Sequence, residues 1–330
     1  VYEHDMDIDE LKNKNIPTLE LKHYIDQNML WKYEKLLNGN QFIGCEDIFD
    51  PKYIPAGFHK ENILKKLNEK SNELEKSLKK FKNNFEAVLF HSLAYSFGLK
   101  INAEIFRQIA ESIEFSIILK VRQNRTQLEA LLFGIAGWLE NPEDEAMQIW
   151  KREFDFLKAK FNIPNVQIHP KFLRLRPHNF PTVRLAQIAD LYHQHQNLFS
   201  KVIHSKSAEE LFVVFKEIKA SEYWNNHFNF GKISNVNQPK VLSKDFIELI
   251  ILNTILPLKY TYHQHHHEEI AEELILFYKN LSAEKNSIIE NWTKINVEIP
   301  SALESQSFIY HFNHFCVQKN CLNCSIGLNF

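Results

Sequence analysis

Glycine and proline are scarce in this chain, with 8 and 11 among 330 residues. Glycine-rich phosphate loops and many-stranded folds need frequent turns, so this scarcity disfavours both and favours helices. No run of 18 apolar residues is present, which argues against a transmembrane helix. Charge of one sign is also missing. The net charge is -2, so no global field draws the protein to nucleic acid or to a membrane, and such binding would need a local patch. Only 4 cysteines occur, too few for a secreted disulfide framework. The chain opens Val-Tyr-Glu-His-Asp, with no basic-then-apolar leader and no initiating Met. The expectation is a cytoplasmic protein without a membrane partner, preceded in its parent by a further segment. Ser-His-Asp triads, P-loops and dinucleotide fingerprints are absent as motifs.

The 44% of hydrophobic residues suffices for one large domain or two ordinary ones. Val1, Tyr2 and residues 18–21 read as short strands around a polar hairpin loop at 5–15. Helical spacing then dominates, over 24–37, 60–81, 85–97, 103–113, 127–139 and 143–161. A proline-broken stretch at 163–181 follows. Further helices are expected over 182–195, 208–218, 244–260, 267–281, 284–295 and 301–315. Ser207 with Glu210, and Ser301 with Glu304, have capping-box spacing. Gly134 and Gly137 would let another helix approach closely. Residues 60–82 hold eight lysines against four glutamates, which reads as the solvated face of a packed helix. The predicted class is mainly α, a multi-helical domain with a small N-terminal β element left from an upstream α/β domain. Expected domains are 1–58, with the hairpin, a helix and the Cys45 loop, and 59–330, ending in a cysteine cluster, with an internal boundary near 229–243.

Three of the four cysteines fall within nine residues, as Cys316, Cys321 and Cys324 in C-x4-C-x2-C spacing. Cys45 lies far upstream. Four thiolates suit a tetrahedral zinc ion or an iron–sulfur cluster. Cys45, or else His311 or His314, would complete the set, and with Cys45 the metal would staple the two ends of the chain together. The x4 spacing leans towards iron. Reduced, partly buried thiols are the bland alternative.

From residue 156 to 189 there is no Asp or Glu, while Lys158, Lys160, Lys171, Arg174, Arg176 and Arg184 all fall in that window. If the segment is extended, Arg174 and Arg176 share one side. With Asn179, Thr182 and the following helix start they form a candidate anion or phosphate site. Alternatively the arginines tie loops to carbonyls and acids. Glu129 sits in an apolar run and reads as a buried acid paired with an arginine. His263 and His267, four apart, would share a helix face beside Glu268 and Glu269.

Several ordered stretches carry a family resemblance: FLRLRPHNFPTVRLAQ at 172–187, QLEALLFG at 127–134 followed by Ala136 and Gly137, SEYWN at 221–225, AEKN at 283–286 and CLNCSIG at 321–327. Together they resemble an uncharacterised bacterial family, domain of unknown function 2851. Cys45 matches a cysteine that the family tends to have after its first long helix. The resemblance implies an upstream segment with acidic and His-containing strands, loosely like a nuclease core. It implies no established activity. The expected function is a nucleic-acid-associated, nuclease-like protein with a structural metal site at Cys45, Cys316, Cys321 and Cys324, and with Arg174, Arg176, Asn179 and Arg184 on phosphate. The alternatives are an enzyme on a small anionic metabolite, using Glu129 as acid or base, and a non-catalytic scaffold.

Overall fold

Most helices begin where a short polar side chain can accept a hydrogen bond from the first free backbone N–H groups, as Asp26, Asn84, Asn124, Asp144, Ser243 and Asn286 do. The computed structural model describes residues 14, 16–39 and 41–329. In chain order the helices are α1 (Gln27–Asn38), α2 (Phe58–Lys80), α3 (Phe85–Phe97), α4 (Leu99–Glu111), α5 (Phe115–Val121), α6 (Arg125–Ile135), α7 (Glu145–Phe161), α8 (Pro181–Gln194), α9 (Leu198–His204), α10 (Ala208–Phe215), α11 (Lys244–Ile250), α12 (Leu256–His265), α13 (Ala271–Asn280), α14 (Ser287–Lys294) and α15 (Ala302–His311). The chain is therefore mainly α and multi-helical. None of the described helices is long and apolar enough to cross a membrane.

The small β element is the antiparallel pair β1 (His227–Asn229) and β2 (Lys232–Ile233), joined through Gly231 at φ 64°. Residues 18–21, read as a strand from sequence, have no strand partner among the described residues, and Val1, Tyr2 and most of the expected hairpin loop lie outside them. Ser301 and Glu304 form the full reciprocal capping box. In the other pair only the first half forms. Ser207 accepts from the Glu210 N–H, but the Glu210 carboxylate takes the N–H of Lys206 instead.

The described residues divide into two compact units. One joins the residues up to Ile63 with those from Ala283 onward, and the other is Leu64–Ser282. The terminal unit has its own core, with Leu36, Ile43, Phe58, Trp292, Phe308 and Ile326 buried together with Cys45 and Cys324. Its rings interlock in specific pairs. Phe42 stacks on Phe312 at 4.7 Å, Trp292 tilts over Phe308 at 4.7 Å, and Phe49 meets Trp292 edge-on at 5.6 Å.

In the central unit α6 packs against both α7 and α8, and α3 packs against α4. An aromatic cluster of Phe133, Trp138, Trp150, Tyr223, Trp224 and Phe230 fills the space beside α6. The α6–α7 contact closes over Gly134, where a Cβ would strike the ring of Phe154. Between α11 and α12 a π turn spans Ile251–Ile255. Pro257 has no N–H to give to a carbonyl four residues back, and the wider turn just before it accommodates that missing bond.

Gly134→Ala should therefore lower stability by about 1–3 kcal/mol through overpacking. Urea unfolding followed by far-UV circular dichroism would read this as a lower midpoint at unchanged slope. An unchanged midpoint would mean that α7 can shift to make room.

Candidate functional site

Cys45, Cys316, Cys321 and Cys324 all line one cavity of the terminal unit, with about 420 Å³ of empty space between its lining atoms, part of it open to solvent. Each arrives by a different local device. Cys45 sits in a loop of successive tight turns (Glu46 N–H to Ile43 O, Ile48 N–H to Cys45 O), pinned by the fully buried Ile43. Cys316 closes the π turn Phe312–Cys316 that ends α15, in which the Val317 N–H reaches back five residues to Phe312 O at 2.9 Å. That widened spacing sets Cys316 on the same side as His311, and both line the cavity. Cys321 and Cys324 bracket a 3-10 turn, with the Cys324 N–H donating to Cys321 O at 3.2 Å.

The cysteine loop is tied down beyond the sulfurs. Lys319 donates from Nζ to the carbonyls of Leu37 and Gly39 at the end of α1, at 2.5 and 3.3 Å. The Gly327 N–H donates to Cys324 Sγ at 3.3 Å, and a Cβ on Gly327 would come within 2.6 Å of Cys321 O. His311, almost wholly buried, places Nε2 3.1 Å from Cys324 Sγ. His314 turns away, its Nδ1 2.8 Å from Tyr310 O and its ring stacked on Tyr310.

Burial raises the pKa of all four thiols, and Cys45 is pushed up to about 12. For Cys45, Cys316 and Cys321 the next cause is repulsion from the neighbouring sulfurs. Without a cation these groups are protonated thiols, and only a soft metal would favour the charged form. Among the described residues no group of three or more His, Cys, Asp or Glu already stands as a set that could hold a metal ion. What the four sulfurs share is a cavity.

The basic segment is split by the fold. Arg184 is 5% exposed, donates to Gln187 Oε1 at 2.9 Å and Asn179 Oδ1 at 2.6 Å, and lies over the Phe246 ring at 3.5 Å. Burial lowers its pKa to about 9. Arg184 and Asn179 are thus engaged with each other, and Thr182 is buried and donates to Phe228 O. Arg174 and Arg176 are exposed. They do not alternate along a strand, because Arg174 has φ 63° in a turn where the Leu175 N–H meets Phe172 O.

Glu129 is 2% exposed on α6. Its arginine is Arg125, one helical turn earlier, with Nε 4.0 Å away. The i,i+4 spacing could have identified this partner from sequence. Arg125 also pairs with Asp190 of α8 at 3.2 Å and donates to Lys219 O at 2.7 Å. Asp190 in turn accepts from the Lys219 N–H and from Gln194. Burial raises the Glu129 carboxyl to about 7 against the opposing pull of Ser221, Arg125 and Trp150. None of the cavities described is lined by Glu129. His263 pairs with Glu268 at 2.6 Å, while His267 lies past the end of α12 at φ 58°, so the two histidines share no helix face.

Trp292 and Lys319 were not singled out by sequence reasoning. Trp292 lies more than twenty residues before the nearest clustered cysteine, and no spacing rule links them. A lysine that caps carbonyls carries no sequence signal either.

A family model described as protein of unknown function (DUF2851) matches residues 1–287, and the chain belongs to that family. Cys45 lies within the matched residues, and the other three cysteines follow them. No curated protein and no solved structure matches the chain.

Glu129 gives this unit a pH dependence with a definite sign. Its folded value of about 7 lies above its ordinary 4.5. The folded chain therefore holds a proton that the unfolded chain releases, and stability falls as pH rises from about 4.5 to about 7, by on the order of 3 kcal/mol. Glu129→Gln should flatten that part of a stability-versus-pH profile measured by urea unfolding. A profile that keeps its slope in the variant would assign the effect to another group.

Proposed function

We propose that this chain is a nucleic-acid-associated protein whose terminal unit carries a structural four-cysteine metal site, filled by zinc or by an iron–sulfur cluster. The observation that carries the metal is the common cavity lined by Cys45, Cys316, Cys321 and Cys324. Soft thiolates select such metals, and ligands drawn from both ends of a chain turn metal binding into folding free energy. The nucleic-acid half is supported by Arg174 and Arg176. Both are exposed in a window without acids, and neither has an ion-pair partner among the described residues. Guanidiniums in that state suit phosphate. Nuclease-like chemistry needs carboxylates free to hold a divalent ion. The two buried acids Glu129 and Asp190 both face Arg125 and are not free to hold a divalent ion, so Arg174 and Arg176 have a binding role with no catalytic step beside it.

Two measurements test it. Metal analysis of the full chain should find zinc or iron, and Cys45→Ser and Cys321→Ser should each lose it. Binding of a single- or double-stranded oligonucleotide, followed by fluorescence anisotropy, should weaken with salt. Arg174→Ala with Arg176→Ala should reduce the slope of log affinity against log salt by about 2. A metal-free, folded wild type would overturn the first half. Binding that is absent, or whose slope ignores the double variant, would overturn the second.

A further inference from the structure

We infer that the group held by the four cysteines is an iron–sulfur cluster and that the indole N–H of Trp292 donates a hydrogen bond to one of its sulfurs. This rests on the four-cysteine reading above and deepens it. All four cysteines line one cavity and no carboxylate lines it with them, a soft donor set of the kind that iron–sulfur clusters take.

The second observation is independent of the sulfurs. Trp292 lines the same cavity, its side chain is fully buried, and its Nε1 has no hydrogen-bond acceptor among the described residues. A buried N–H without a partner is uncommon and calls for an account. The Cys324 sulfur already has the Gly327 N–H at 3.3 Å and His311 Nε2 at 3.1 Å. Bridging sulfides would bring new acceptors into the cavity, where a zinc ion brings none. Hydrogen bonds to cluster sulfurs are among the levers that set reduction potential. The spacing agrees, because C-x4-C-x2-C with a fourth distant cysteine is a ferredoxin pattern, although here the distant cysteine lies upstream. Leu36, Phe315 and Ile326 add apolar walls that limit the access of water to a cluster.

The test uses the full chain purified without oxygen. Iron and acid-labile sulfide should be found in equal numbers, with visible charge-transfer absorption. Trp292→Phe should keep the iron but move the midpoint potential to a more negative value, because the lost donor had stabilised the more negatively charged reduced state. If that variant does not fold, the wild type with 15N-labelled indole should show a nitrogen coupling to the reduced cluster in pulsed paramagnetic resonance. Stoichiometric zinc without sulfide would overturn the cluster and leave the four-cysteine reading standing. A chain with neither metal would overturn both. A cluster with unchanged potential in Trp292→Phe, or without 15N coupling, would overturn the role of Trp292.

Discussion

Sulfur removed from water is the constraint on which the terminal unit depends. Cys45 and Cys324 belong to the same buried core as Trp292 and Phe308. Besides the apolar core that they share, individually modest contacts join its two chain segments. They include Lys319 to the carbonyls of Leu37 and Gly39, Asn329 to Tyr53 O, and the Phe42–Phe312 stack. Each such hydrogen bond is worth about 1 kcal/mol net, against the about 10–16 kcal/mol available from a structural zinc site. On the proposed metal, then, ligation would outweigh these hydrogen bonds in closing the unit, alongside the apolar core that both segments share.

The central unit gives its three buried cations carbonyl and amide oxygens as partners. Arg184 is held by two side-chain amides, Lys240 by the carbonyls of Trp224 and Asn225, and Lys259 by those of Ile203 and Ser205. Burial lowers the pKa of all three. A run of basic residues with no acids in sequence therefore does not become one basic patch. Part of it turns inward, where a guanidinium stacked on Phe246 fills space as an aromatic side chain would. Only the turn at 172–176 presents its arginines to water.

The helices were legible because their periodicity and their caps agree, as at Asn84, Asp144 and Ser301. Two were not. α5 and α9 are seven residues each, too short for a helical period to stand out. The π turns were also hidden, since one extra residue leaves an apolar pattern almost intact. Yet it is the π turn after α15 that sets Cys316 beside His311. Gly98 shows the limit of composition rules. It follows α3 with an ordinary right-handed φ of -66°, and Leu99 after it takes the left-handed turn at φ 53°. Glycine is needed at 98 because a Cβ there would strike the Asn102 backbone. That Cys45 lines one cavity with the tail cysteines had no signal in the sequence beyond their number. Its supports, Trp292 and Lys319, left no trace in the sequence.

Three stretches that carry the family resemblance meet in the polar interior of the central unit. QLEALLFG is α6 and supplies Glu129 and Gly134. The stretch 172–187 runs from the exposed turn into α8 and supplies Asn179, Arg184 and Gln187. SEYWN supplies Ser221 beside Glu129 and the carbonyls that hold Lys240. Gln187 accepts from Arg184 and donates to Lys240 O at 2.8 Å, and the Lys240 ammonium donates in turn to the carbonyls of Trp224 and Asn225. These buried contacts tie the residue types involved to one packing arrangement, although Arg184 Nε and Ser221 Oγ are buried without a hydrogen-bond partner among the described residues. The motif residues inside the unit therefore answer for architecture. Arg174 and Arg176 belong to the same stretch but stand exposed, Arg174 with left-handed and Arg176 with extended backbone, where packing requires no guanidinium. On the proposal above, phosphate is what these two guanidiniums would meet.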